Sequence, residues 1–166
     1  MPRIVACGGR LRAYDSFRTS FENAAPDAFP ILLVDSEAPV ETNAWEHVRL
    51  RPGDGWQRPQ GASDDQIHLM VQAMEAWFHA DKGTLQEYYG QGFRAAALSQ
   101  RQDVENVPKA DLFDGLRRAT RGCQKGEYSK GEDSFKILAL TDPDKVKVAS
   151  LHVERFLRVL DRICVP

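Results

Sequence analysis

Apolar positions in the first half of the chain alternate between short continuous runs and helically spaced sets. Arg3-Ile4-Val5-Ala6 is a β-compatible run closed by the Gly8-Gly9 pair. Leu11, Tyr14, Phe17, Arg18 and Phe21 then recur at the spacing of a helix that ends by Pro26. Ile31-Leu32-Leu33-Val34, bounded by Pro30 and Asp35, predicts a strand covered on both faces, and His47-Val48-Arg49-Leu50 predicts a further one. Strand, helix, strand in this order implies a βαβ unit with a parallel sheet. Residues 51–63, punctuated by Pro52, Gly53, Gly55, Pro59 and Gly61, read as a loop.

The next segment carries two patterns. Ile67, Met70, Val71, Met74 and Trp77 suit a helix opened by a Ser63–Gln66 capping box, whereas Ile67, Leu69 and Val71 alternate as in a strand. Beyond it the chain reads as helical. Leu85, Tyr88 and Tyr89 end a short helix at Gly90, and Leu112, Phe113, Leu116 and Ala119 mark another, stopped by Gly122. Asp142-Pro143 is a helix-start pair, and Val153, Phe156, Leu157, Leu160 and Ile163 form an apolar stripe. The expected fold class is therefore α/β. Residues 1–166 form one domain, with a sheet core in 1–81 and a mainly helical part in 82–166.

Composition bounds this reading without adding chemistry. A chain of 166 residues is the size of one domain, and its formal net charge of −2 gives no whole-molecule attraction to nucleic acid. No apolar run approaches the ~18 residues of a membrane span. The start, Met1-Pro2-Arg3-Ile4-Val5-Ala6, reads as the opening of a strand and not as a signal peptide. Cys7, Cys123 and Cys164 are too few and too widely spaced for a disulfide framework or a zinc site, which suggests the cytoplasm. Cys7 reads as a small hydrophobe.

Charge is segregated along the chain. Asp35, Glu37, Glu41 and Glu46 lie in a stretch without Lys or Arg, as do Asp64, Asp65, Glu75 and Asp81, whereas residues 117–136 hold six bases against three acids. Val34-Asp35-Ser36-Glu37 ends a hydrophobic strand in two carboxylates, at the carboxyl edge where parallel sheets build their sites. Neighbouring carboxylates repel and call for a cation or a shared proton, and hard oxygen ligands suit Mg²⁺ or Mn²⁺. The same residues also suit an exposed turn. Glu75, between Met74 and Trp77, needs a partner if it faces inward, and otherwise lies on a polar helix face. Arg10 after the glycine pair and Lys130 in Tyr128-Ser129-Lys130-Gly131 are candidate phosphate contacts, although a glycine turn and a solvated lysine read equally well there. His47, His68, His79 and His152 have no metal-site spacing.

Taken together, several segments resemble an uncharacterised bacterial family, domain of unknown function four-two-seven-six. They are Cys7-Gly8-Gly9-Arg10, Leu33-Val34-Asp35-Ser36-Glu37, the run from Leu69 to Asp81 around Met74-Glu75-Ala76-Trp77, Val104 to Lys109, and Tyr128 to Gly131. The resemblance implies a compact TOPRIM-like (Rossmannoid) fold, a mostly parallel sheet flanked by helices, and favours a strand at Ile67–Gln72 with a helix opening near Met74. It also implies a Mg- or Mn-dependent nuclease or other phosphodiester-processing protein acting on nucleic acid, paired with an ATPase in phage defence. Asp35, Glu37 and Glu75 would be its metal ligands, and Glu75, Arg10 and Lys130 its catalytic groups. The chain departs from the TOPRIM pattern in lacking a Glu after the first strand, where Arg10 follows the glycine pair instead, and in having Asp35 and Glu37 as its acid pair. The alternative is a non-catalytic regulatory or partner-binding subunit with a degenerate site.

Overall fold

A computed structural model describes residues 3–131 and 133–164. Helix α1 (Arg10–Glu22) leads to strand β1 (Leu32–Asp35), helix α2 (Ala44–Leu50), strand β2 (Ile67–Met70) and helix α3 (Glu75–Ala80). Helices α4 (Lys82–Tyr89), α5 (Lys109–Thr120), α6 (Ser134–Leu140), α7 (Pro143–Ala149) and α8 (Leu151–Cys164) complete the order. The protein is thus mixed α/β with a minimal sheet. β1 and β2 pair in parallel, in register from Leu32 opposite Ile67 to Asp35 opposite Met70. Helices cover both faces: Ile67, Leu69, Leu32 and Val34 pack with Tyr14 and Phe17 of α1 and Trp45 and Val48 of α2. On the other face the His68 ring meets Phe156 of α8 at 5.0 Å.

Two expected strands are absent. His47–Leu50 is the end of α2, because the Asn43 side chain caps that helix by accepting from the Glu46 N–H at 2.9 Å. Trp45 and Val48, three apart, then turn inward, while Glu46 and Arg49 pair at the surface. A four-residue window could not separate this period from a strand's. Arg3–Cys7 joins no ladder, and Ile4 and Val5 are exposed, because β1 pairs with β2 alone among the described residues. Met1 and Pro2, the start of that expected strand, lie outside the described residues, as do Glu132, Val165 and Pro166.

The two-pattern segment resolves into both. Gln66 accepts from the Ser63 N–H at 2.9 Å, as the capping-box reading expects, but the turn it closes is a three-residue 3-10 helix, Asp64–Gln66. The alternating residues then form β2, and α3 opens directly after Met74. Of the expected stripe on α8 only Val153 is buried; Phe156, Leu157 and Leu160 are half-buried, Ile163 is exposed, and Val159, outside the stripe, is buried.

Asp81, only 1 % exposed, ties the helical half together. Its carboxylate accepts from the Thr84 N–H and hydroxyl, from the Asp142 N–H at 3.0 Å, and from Lys145 at 2.8 Å, joining α3 and α4 to α7. Burial alone would raise its pKa, but these donors outweigh burial and lower it from 3.8 to about 2. A carboxyl with a depressed folded pKa stabilises the fold above its unfolded value and loses that contribution as the pH falls through the folded one. Asp81→Ala is therefore expected to lower stability by about 2–4 kcal/mol at pH 7. Denaturant titration should show that deficit shrinking as the pH falls from about 4 towards 2.

Candidate functional site

The sheet delivers its acids to one edge. Past the last paired residues, the Ser36 N–H donates to the Met70 carbonyl at 2.9 Å and the Glu37 N–H to the Gln72 carbonyl at 2.8 Å. Parallel contact between the chains thus continues to Glu37 on one side and Gln72 on the other. Asp35 Oδ1 accepts from the Met74 N–H at 2.8 Å, so one carboxylate fastens the end of β1 to the residue before α3. Its other oxygen, Oδ2, lies 3.6 Å from Lys130 Nζ. Burial pushes the Asp35 carboxyl above its ordinary 3.8 and Glu37 adds to this, against the opposing pull of the Met74 N–H, Lys130 and Lys109.

Glu37 stands differently. Its φ of 67° is a left-handed conformation uncommon outside glycine, and its carboxylate pairs with Lys109 Nζ at the start of α5. Burial would raise this group too, but Lys109, with Arg10 and Arg51, outweighs burial and leaves it lowered. The two acids two residues apart are therefore driven in opposite directions, the pattern by which carboxylates take separate roles at one site.

Glu75, the first residue of α3, is fully buried. Its Oε1 accepts from the Tyr128 hydroxyl at 2.7 Å, and that hydroxyl also lies 2.8 Å from Ser134 Oγ. Burial and the neighbouring Glu75 push the Tyr128 phenol up, against a smaller opposing effect of Ser134, so it stays a proton donor. Glu75 Oε2 is buried with no hydrogen-bond partner among the described residues. An unpaired buried carboxylate oxygen is costly, and marks a place where a cation or donor would be favourable.

Arg10 is committed to the scaffold. One Nη donates to the Asp35 carbonyl and the other to Asp54, while the guanidinium lies 4.8 Å over the Trp56 ring. Asp54 also takes Arg51 at 3.0 Å, and Trp56 stacks on Tyr14 at 4.7 Å. Arg10 thus positions the end of β1, and both its Nη atoms bond protein oxygens, while its buried Nε has no partner among the described residues.

Among the described residues of the basic stretch 117–136, only Lys130 pairs with one of these acids. Arg117 pairs with Asp114 and Arg121 with Glu127, in a shallow depression along α5 that touches none of Asp35, Glu37 or Glu75. His68 and His79 are kept neutral by burial, each lowered to about 4. Among the described residues no three His, Cys, Asp or Glu side chains converge to hold a metal. A divalent ion at this edge would therefore draw on two carboxylates at most, which suits Mg²⁺, an ion that commonly keeps several waters and takes further oxygens from a phosphate. Asp35 and Glu75 are the two acids with an oxygen left over among the described residues, one facing only a loose ammonium and the other without a hydrogen-bond partner.

The family model described as Domain of unknown function (DUF4276) matches residues 3–161. The chain belongs to this family. Neither a curated protein nor a solved structure matches it. Within this DUF4276 chain the edge assembles residues from every segment singled out above: Arg10, Asp35 and Glu37, Gln72 to Glu75, Lys109, and Tyr128 with Lys130.

Sequence reasoning gave no role to Lys109, Gln72 or Asp54. Gln72 accepts from the Lys109 N–H at 3.1 Å, which fixes the start of α5 against the sheet edge. A lone amide in the apolar run from Val71 to Met74 was the available signal for it, and Pro108 signalled a helix start at Lys109. Asp54, inside Gly53-Asp54-Gly55, has the look of any turn. Tyr128 is the one hydrogen-bond donor to the Glu75 carboxylate among the described residues, and removing it isolates both oxygens. Tyr128→Phe should therefore cost about 1–3 kcal/mol in chemical denaturation with helical content retained; unchanged stability would show that the bond is not needed.

Proposed function

We propose that this chain is a TOPRIM-like, Mg²⁺- or Mn²⁺-dependent nuclease or phosphodiester-processing protein, acting on nucleic acid as a phage-defence effector beside an ATPase. The observation that carries the reading is the unpartnered Glu75 oxygen, buried at the sheet edge that also presents Asp35. A divalent cation would supply charge to the transferring phosphoryl oxygens. Asp35 and Glu75 would hold it, with Glu37 kept aside by Lys109. Tyr128 holds the Glu75 carboxylate in place, and Arg10 holds the backbone of Asp35. Lys130, half-exposed at the rim and only loosely paired with Asp35, would meet a phosphate once a cation took its place. The carboxyl ends of β1 and β2 supply the acids, where open α/β sheets carry their ligands.

A second reading, a partner-binding subunit with a degenerate site, draws on one specific feature: Asp35 and Glu37 each already face a protein ammonium group. The two readings part in a cleavage assay. With Mn²⁺ or Mg²⁺ and single- and double-stranded DNA and RNA, the wild type should cleave at least one substrate. Asp35→Asn, circular dichroism unchanged, should lower the rate at least about a hundredfold, as loss of an essential charged group does. Equal rates in the two proteins would sink the nuclease reading. An inactive wild type that co-purifies with the adjacent ATPase would favour the second.

A further inference from the structure

We infer, resting on the cation reading above, that Lys130 is a displaceable occupant of the cation's place on Asp35, so that the loop carrying it gates the site. The loop holds two side chains, two residues apart, on two different acids. Tyr128 is its fixed point: only 4 % exposed, it bonds Glu75 and Ser134. The Gly131 N–H closes the same cluster by donating to Ser134 Oγ at 3.0 Å. Lys130 is its movable point. Its side chain is 52 % exposed, and at 3.6 Å from Asp35 Oδ2 it makes an ion pair without a hydrogen bond.

The contrast with Lys109 sets the order of release. Lys109 bonds Glu37 directly, and its own backbone N–H is held by Gln72 at the first residue of α5. The backbone beside Lys130 is tied instead at its neighbours, the Ser129 N–H donating to Asp133 at 3.4 Å and the Gly131 N–H to Ser134 at the start of α6, so it is the Lys130 side chain that is left to move. Lys130 lies between Gly126 and Gly131, whose φ values of 85° and 106° are open to glycine and strained for other residues, so the loop turns sharply at both ends. A second resting place is already beside it, since the ammonium stands 5.2 Å from the Phe113 ring centroid.

Charge forbids both occupants at once. A divalent ion on Asp35 Oδ2 would stand within a few ångströms of the ammonium group, and that repulsion is only partly screened at a half-buried edge. The ion therefore drives Lys130 off Asp35 towards Phe113 and solvent, where it faces an incoming phosphate. With no ion bound, Lys130 neutralises a carboxylate that would otherwise stand beside Glu37 with the Met74 N–H as its hydrogen-bond donor.

Calorimetric titration with Mn²⁺ alone tests the exchange. Lys130→Met should bind Mn²⁺ about tenfold more tightly than the wild type, because no ammonium competes. Lys130→Arg, which keeps the charge, should stay within about threefold of the wild type, and Asp35→Asn should lose binding. Lys130→Gln serves as a second neutral variant should the methionine protein prove unstable. Wild-type binding lost in Asp35→Asn but unchanged or weaker in both neutral variants would overturn the gate while keeping the cation site. No Mn²⁺ binding by any folded variant would overturn the site and the gate together.

Discussion

The carboxylate of Asp35 ends a strand, starts a helix and faces the open edge of the sheet, and the other features of the site depend on where it stands. Through the Met74 N–H it fixes the approach to α3 and so the position of Glu75. Through its own backbone carbonyl it receives Arg10, which brings the start of α1 and, by way of Asp54, the 51–57 loop to the same edge. Half of its hydrogen-bonding capacity is thus spent on architecture. The remaining oxygen faces Lys130 in an ion pair without a hydrogen bond.

Charge balance around that oxygen explains the composition of the edge. Asp35, Glu37, Glu75 and Asp54 meet Arg10, Arg51, Lys109 and Lys130 in a small region, yet the bonds are unequal. Asp54 is clamped between two guanidiniums and Glu37 is held by Lys109, whereas Glu75 has a neutral hydroxyl and Asp35 a distant ammonium. Burial raises the cost of the poorly matched pair, and a single cation would offset it for both.

The long periodic elements were legible in the sequence. The helix from Leu11 to Phe21, the buried run ending at Val34 and the helix closed by Gly122 all stand where their spacing places them. The short ones were not: four residues at His47 fit strand and helix alike, and only the Asn43 cap decides between them. Arg3–Ala6 has the composition of a strand, but pairing depends on a neighbouring edge that no local pattern reports. Asp35, Glu37 and Glu75 were each legible as carboxylates needing a partner. Which partner each takes was not, because Lys109, Tyr128 and Lys130 come from segments 53 to 95 residues away.

The central claim is that Asp35 and Glu75 share a cation whose place Lys130 otherwise fills. A crystal grown with Mn²⁺ and measured at the manganese absorption edge addresses it most directly. The account predicts one anomalous peak between the Asp35 and Glu75 carboxylates, with Lys130 Nζ moved away from Asp35 towards Phe113. A Mn²⁺-saturated crystal with no peak at this edge, and Lys130 still on Asp35, would contradict it.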